Sequence, residues 1–203
     1  MARLTCHREL TIDKSADEVW DYLSDLSSSM TVNQFHVGVD YDLGGKSPKR
    51  GMVVPIHHNV FGHEHVRLAS VQIYERYAIG WGERLDDPNK TDTFPHSESW
   101  RIEPAGPKRC TVRNYLRGAI RQGPLSVVLG EYLWSITVPP ILDADLRELA
   151  WRIGASDSPP APLQLPPEHA VISRLVAART IDGEPVDKLL ADLLPDGAAM
   201  PVE

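Results

Sequence analysis

The chain has 203 residues, 42% of them hydrophobic, and 28 acidic side chains against 21 basic ones give a net charge of −7. That is enough apolar material for a single core and the wrong sign for a nucleic-acid partner, whose phosphates require a dense basic face. Cys6 and Cys110 cannot make a disulfide framework, and the charges in MARLTCHREL interrupt the apolar run a secretion signal needs, so a reduced, cytoplasmic setting is expected.

Leu4, Cys6, Leu10 and Ile12 alternate on one face of a first strand, with Arg8 in the same phase. Ser15 and Glu18 have the spacing of a capping box, and Val19, Trp20, Leu23 and Leu26 form the apolar stripe of the helix it opens. Ser27-Ser28-Ser29 is expected to break that helix, with a further short turn over Thr31 to Gln34. Strands are predicted at Phe35–Leu43, Gly51–Val60, His63–Tyr74, Tyr77–Leu85, Thr93–Glu103 and Arg109–Ala119, and their short connections imply an antiparallel meander. From Pro124 to Ile153 a helix carries Leu125, Val128, Leu129, Tyr132, Leu133 and Ile136 as its stripe, resumed at Leu146 and Leu149, with Pro139-Pro140 expected to kink or split it. Glu131 and those prolines make this a core helix and not a membrane span. Residues 154–167 read as a Pro-rich linker, and 168–203 as an extension with two short amphipathic helices that need a surface, on this chain or on a second copy in a homodimer.

With ADEVWDYLSDL near the start, SESWRIEP in a late strand, CTVRNYLRG in the last strand and GPLSVVLGEYL opening the final helix, residues 1–153 resemble the START-like helix-grip superfamily, often labelled SRPBCC, and within it the polyketide cyclase/dehydrase group. The resemblance implies an α+β fold in which a curved antiparallel sheet wraps around a long C-terminal helix and leaves a deep cavity between them. It also implies a hydrophobic small-molecule ligand and, for the enzymes of the group, cofactor-free cyclisation and dehydration of a polyketide-like chain. The same fold serves carriers and sequestering proteins, so a non-catalytic lipid or metabolite binder is the alternative.

Strand phase nominates the lining of such a cavity. Phe94, His96, Glu98, Trp100 and Ile102 share one face, and a His and a Glu on an otherwise apolar face suit proton transfer, although a mutually satisfied buried pair would give the same pattern. Asn114 shares a face with Cys110, Val112 and Leu116, and either Asn114 or Arg8 is placed to stabilise an enolate oxygen. The expected catalytic set is therefore His96, Glu98, Arg8 and Asn114. Tyr77, Trp81, Phe94, Trp100, His58, Val112, Leu116, Leu129 and Tyr132 are the expected ligand walls, with ordinary core packing as the competing reading.

The segment HHNVFGHEH concentrates four histidines and Glu64 about a hairpin turn. An even loop places His58, His63 and His65 on one face; an odd loop exchanges His57 for His58. The spacing matches no ligand motif, and histidines at a cavity rim or in solvent are expected, with no metal. Gly45-Lys46-Ser47 lacks the earlier glycine of a phosphate loop, because Asp40 stands there.

Overall fold

The computed structural model describes residues 2–41, 47–60, 63–86, 95–120 and 124–165. Its elements run β1 (Ala2–Ile12), α1 (Ala16–Leu23), α2 (Leu26–Met30), β2 (His36–Val39), β3 (Val53–Val60), β4 (His63–Glu75), β5 (Ala78–Leu85), β6 (His96–Gly106), β7 (Arg109–Ile120) and α3 (Pro124–Arg152). The strands form one curled, seven-stranded antiparallel sheet in the order β1-β7-β6-β5-β4-β3-β2, so the first and last strands lie side by side.

Local chemistry sets the entry to the sheet's helices. The Ser15 hydroxyl accepts the Glu18 amide at 3.2 Å while the Glu18 carboxylate accepts the Ser15 amide at 2.8 Å, which closes the capping box expected from the sequence. The serine run does not end the helical segment as expected. Asp25 accepts the amides of Ser27 at 2.8 Å and Ser28 at 3.3 Å, and this second cap converts the serines into α2.

Alternation fixes which side chains enter the core. The register pairs Cys6 with Leu116, Arg8 with Asn114, Ile79 with Trp100 and Trp81 with Glu98, so all of these share the inner face. Trp81, Trp100, Ile79 and Val112 are fully buried there with Val19, Leu23 and Leu26. On the outer face a Cβ at Gly80 would lie 2.7 Å from that of Ser99, a contact that only glycine avoids.

α3 packs over β1 and β7 and continues through Pro139-Pro140 as one helix, without the expected split. Among the described residues its buried side chains are Trp134, Thr137, Val138, Ile141, Leu142, Asp145, Leu146, Leu149 and Ala150, whereas Val128 and Tyr132 are exposed. The helix is apolar nearly all round in its first half, so periodicity does not single out the buried stripe there. Trp134, Val138 and Leu142 meet Leu4, Cys6 and Leu116 in a second apolar cluster beside the main core. Among the described residues no helix is long and apolar enough to cross a membrane. Residues 154–165 contain no helix or strand, and the expected C-terminal helices lie outside the described residues.

Candidate functional site

Two buried polar centres occupy the inner face, and β6 joins them. The first gathers on Glu83 of β5. Its register partner His96 brings Nε2 to 3.1 Å from Glu83 Oε2, His58 of β3 brings Nε2 to 3.1 Å from the same oxygen, and His36 of β2 stands 3.7 Å from Oε1. Trp81 Nε1 donates to Oε1 at 2.9 Å, and Arg67 of β4 places Nε 3.7 Å from Oε2 while its Nη2 donates to the Glu83 carbonyl at 3.4 Å. Burial alone would push the Glu83 carboxyl up, but His96, then His36 and His58, outweigh it and hold the group well below the usual carboxylate range. Desolvation has the opposite effect on the imidazoles: it lowers His36 and, reinforced by His36, takes His58 down to about 2, so both are neutral near pH 7.

The second centre lies between the sheet and α3. Glu98 of β6 is 2% exposed and accepts a hydrogen bond from Asn114 Nδ2 of β7 at 3.1 Å. Burial first, and then the charge on Glu83, pushes its carboxyl up to about 8, against smaller downward pulls from Asn114 and Trp100. Asp145 of α3, fully buried, is raised as well, by desolvation and then by Glu98 and Glu148, with Arg152 opposing. Asn114 Oδ1, Thr137 Oγ1 and Asp145 Oδ2 have no hydrogen-bond partner among the described residues. Asn114 and Asp145, each with such an unpaired oxygen, thus act on a carboxylic acid that holds its proton near neutral pH.

Of the residues expected from sequence, the structure brings Glu98, Asn114 and Trp100 together, and places Trp81, His58 and His96 in the Glu83 centre beside them. Val112 lies in the main core, and Leu116 lies against Trp134. Arg8 has the expected phase, but its half-exposed side chain reaches Asp143 of α3 at 3.5 Å and not the Glu98 group. Tyr77 sits at the β4–β5 turn with φ 67° and donates to Asp17 of α1 at 2.7 Å, which fastens the hairpin to the helix. Tyr132 is exposed; Phe94 and the Leu129 side chain lie outside the described residues.

Four contributors are absent from the sequence expectation: Glu83, Arg67, His36 and Asp145. Glu83 shares the phase of Trp81, and Arg67 the phase of His65, so alternation carried a signal for both. His36 follows the second cap and Asp145 sits in an apolar helix, where no local pattern marks them. The HHNVFGHEH segment is divided as an even loop requires, with Val60 opposite His63 and His58 opposite His65; His57 points the other way and meets Asp40 at 2.9 Å.

A curled antiparallel sheet closed by one long C-terminal helix, with polar groups on the inner face, defines a helix-grip domain of the START type. The chain belongs to the family described as polyketide cyclase / dehydrase and lipid transport, which it matches over residues 3–154. An aromatase/cyclase from Streptomyces sp. R1128 is similar in structure, with a TM-score of 0.59 at 15% identity over 75% of this chain and 94% of that one. A START superfamily protein from Mycobacterium smegmatis gives 0.52 at 16% over 74% and 97%, and a truncated norcoclaurine synthase from Thalictrum flavum 0.53 at 13% over 74% and 94%. No curated protein matches the sequence.

Proposed function

We propose that the protein binds a hydrophobic small molecule between the inner face of the sheet and α3, and that it catalyses cyclisation and dehydration of a polyketide-like chain with Glu98 as the proton donor. The observation that carries this reading is the buried Glu98 carboxyl, raised to about 8, with Asn114 and Asp145 beside it. A carboxyl that keeps its proton at neutral pH can deliver it to a carbonyl oxygen as an enol carbon attacks, and then recover the proton the enol releases. In the dehydration that follows, the same acid protonates the departing hydroxyl, which leaves as water, and the carboxylate it becomes takes the proton from the adjacent carbon as the C=C bond forms. Apolar walls that fold the chain so that nucleophile and carbonyl meet supply the orientation. Membership of a cyclase/dehydrase family and likeness in fold to an aromatase/cyclase support the substrate class.

A non-catalytic binder is the second reading, favoured by the wholly apolar contact of Trp134, Val138 and Leu142 with Leu4, Cys6 and Leu116. Glu98→Gln separates the two. With a reactive polyketone as substrate, the enzyme reading expects turnover to fall by about two orders of magnitude or more while ligand affinity is kept. Wild-type protein that binds such a ligand tightly and leaves its rate of spontaneous cyclisation unchanged is a carrier.

A further inference from the structure

We propose that His36, His58 and Glu83 form a binding site for one divalent transition-metal ion of the zinc type. These three side chains come from three different strands, β2, β3 and β5, and each offers a ligand atom within 4.8 Å of the other two. All three are buried, with side-chain exposures of 4%, 3% and 0%.

The spacing fits an ion. A tetrahedral ion with ligand bonds of about 2.1 Å sets its donors roughly 3.4 Å apart. His36 Nε2 to Glu83 Oε1 is 3.7 Å and His58 Nε2 to Glu83 Oε2 is 3.1 Å, so each imidazole stands close to that distance from one oxygen of the carboxylate. The stacking of the His36 and His58 rings, with centroids 4.4 Å apart and planes 17° from parallel, presents both imidazoles to the same carboxylate.

The tautomer fits too. His36 Nδ1 lies 2.5 Å from the Met30 carbonyl, which can only accept, so Nδ1 carries the hydrogen and the Nε2 lone pair of the neutral ring faces Glu83. His58 Nε2 has no hydrogen-bond partner among the described residues despite its approach to Oε2. For His36, whose Nδ1 carries the hydrogen, an Nε2 lone pair set against a carboxylate is repulsive unless a cation lies between them. Outer contacts of the kind that orient metal ligands are also present: Met30 O on His36, and Trp81 Nε1 and His96 on the two oxygens of Glu83. Arg67, 3.7 Å from Oε2, already offsets part of the carboxylate charge and so disfavours ions held mainly by charge. Two nitrogen donors and one oxygen then select zinc, cobalt or iron over magnesium or calcium.

The test uses the full chain, stripped with chelator and titrated with Co2+ and Zn2+, read by calorimetry and by the visible d–d bands of Co2+. One ion per chain is expected, with d–d bands of a nitrogen- and oxygen-ligated site. His58→Ala and Glu83→Gln should each weaken binding by more than the roughly 10- to 100-fold that loss of an outer partner costs. His57→Ala, on the opposite face, should leave it unchanged. Since Glu83→Gln can perturb folding, X-ray absorption on the wild-type Zn2+ complex provides a second reading, which should show two imidazole shells. Absence of saturable binding to the folded wild type, affinity unchanged in His58→Ala, or equal loss in His57→Ala would overturn the site. Each readout is of binding alone, so the result stands apart from whether Glu98 is catalytic.

Discussion

Glu83 and Glu98 are both fully enclosed carboxyls on the inner face, two residue pairs apart in the β5–β6 ladder, yet they hold opposite protonation states. The difference lies in their neighbours. Glu83 collects an indole N–H, a guanidinium and three imidazoles, whereas Glu98 is approached by the Asn114 amide and the Trp100 indole and faces two other acids, Glu83 and Asp145. Burial supplies the same penalty to each, and neighbours decide whether the charge survives it.

The contrast breaks most severely at Glu83. Glu83→Gln removes the charge that compensates Arg67 in a buried setting, and a loss of about 3 to 5 kcal/mol is expected in urea denaturation. A loss under about 1 kcal/mol would mean that Glu83 carries no charge. Next in size is Gly80→Ala. Its Cβ would meet Ser99 Cβ at 2.7 Å and the Glu98 carbonyl at 3.0 Å, so β5 and β6 must separate where the two centres join. Overpacking of this kind costs roughly 1 to 3 kcal/mol, and the shift should also disturb the proton affinity of Glu98, measurable by carboxyl NMR.

The smallest change in stability, and the one that sharpens the comparison, is Glu98→Gln. The amide replaces a neutral acid of the same shape, so at pH 5 the change should stay below about 1 kcal/mol. The pH dependence separates the two proteins. Glu98 binds its proton more tightly folded than unfolded, so its contribution is full below the ordinary glutamate value of 4.5 and is lost as pH rises through about 8. The stability of the wild type relative to Glu98→Gln should therefore fall across that window, while in both proteins Asp145 adds a slope of the same sign and the lowered His36 and His58 oppose it below their ordinary value of 6.5. Equal slopes in the two proteins would place the charge on Glu98.

Much of this arrangement was legible in the sequence where alternation or a cap makes a local rule. Glu98 and Asn114 followed from strand phase alone, and the split of His57 from His58 followed from alternation, while which of the two shares the face of His65 waited on the parity of the hairpin. What escaped reading depends on elements distant in the chain: His36 reaches Glu83 because β2 pairs with β3 and β3 with β4, and Asp145 meets Glu98 because α3 crosses β7 and β1. On α3 the exposed Val128 and Tyr132 look the same in sequence as the buried Val138 and Ile141, since apolar character marks both sides of that helix.

The pairing of β1 with β7, with Ala2 opposite Ile120, has a consequence for how the chain reaches this state. During synthesis the first strand emerges long before its partner exists, so its edge stays unpaired until nearly the whole sheet has been made. α3 packs on the surface that those two strands share, and it can dock only after they meet. Ring closure of so long a segment is slow. The meander from β3 to β7, built from neighbouring hairpins, is therefore expected to form early, with β1 and α3 closing the domain together in a late, rate-limiting step. Glu98 would acquire its buried environment only then, which makes its elevated proton affinity a marker of complete folding.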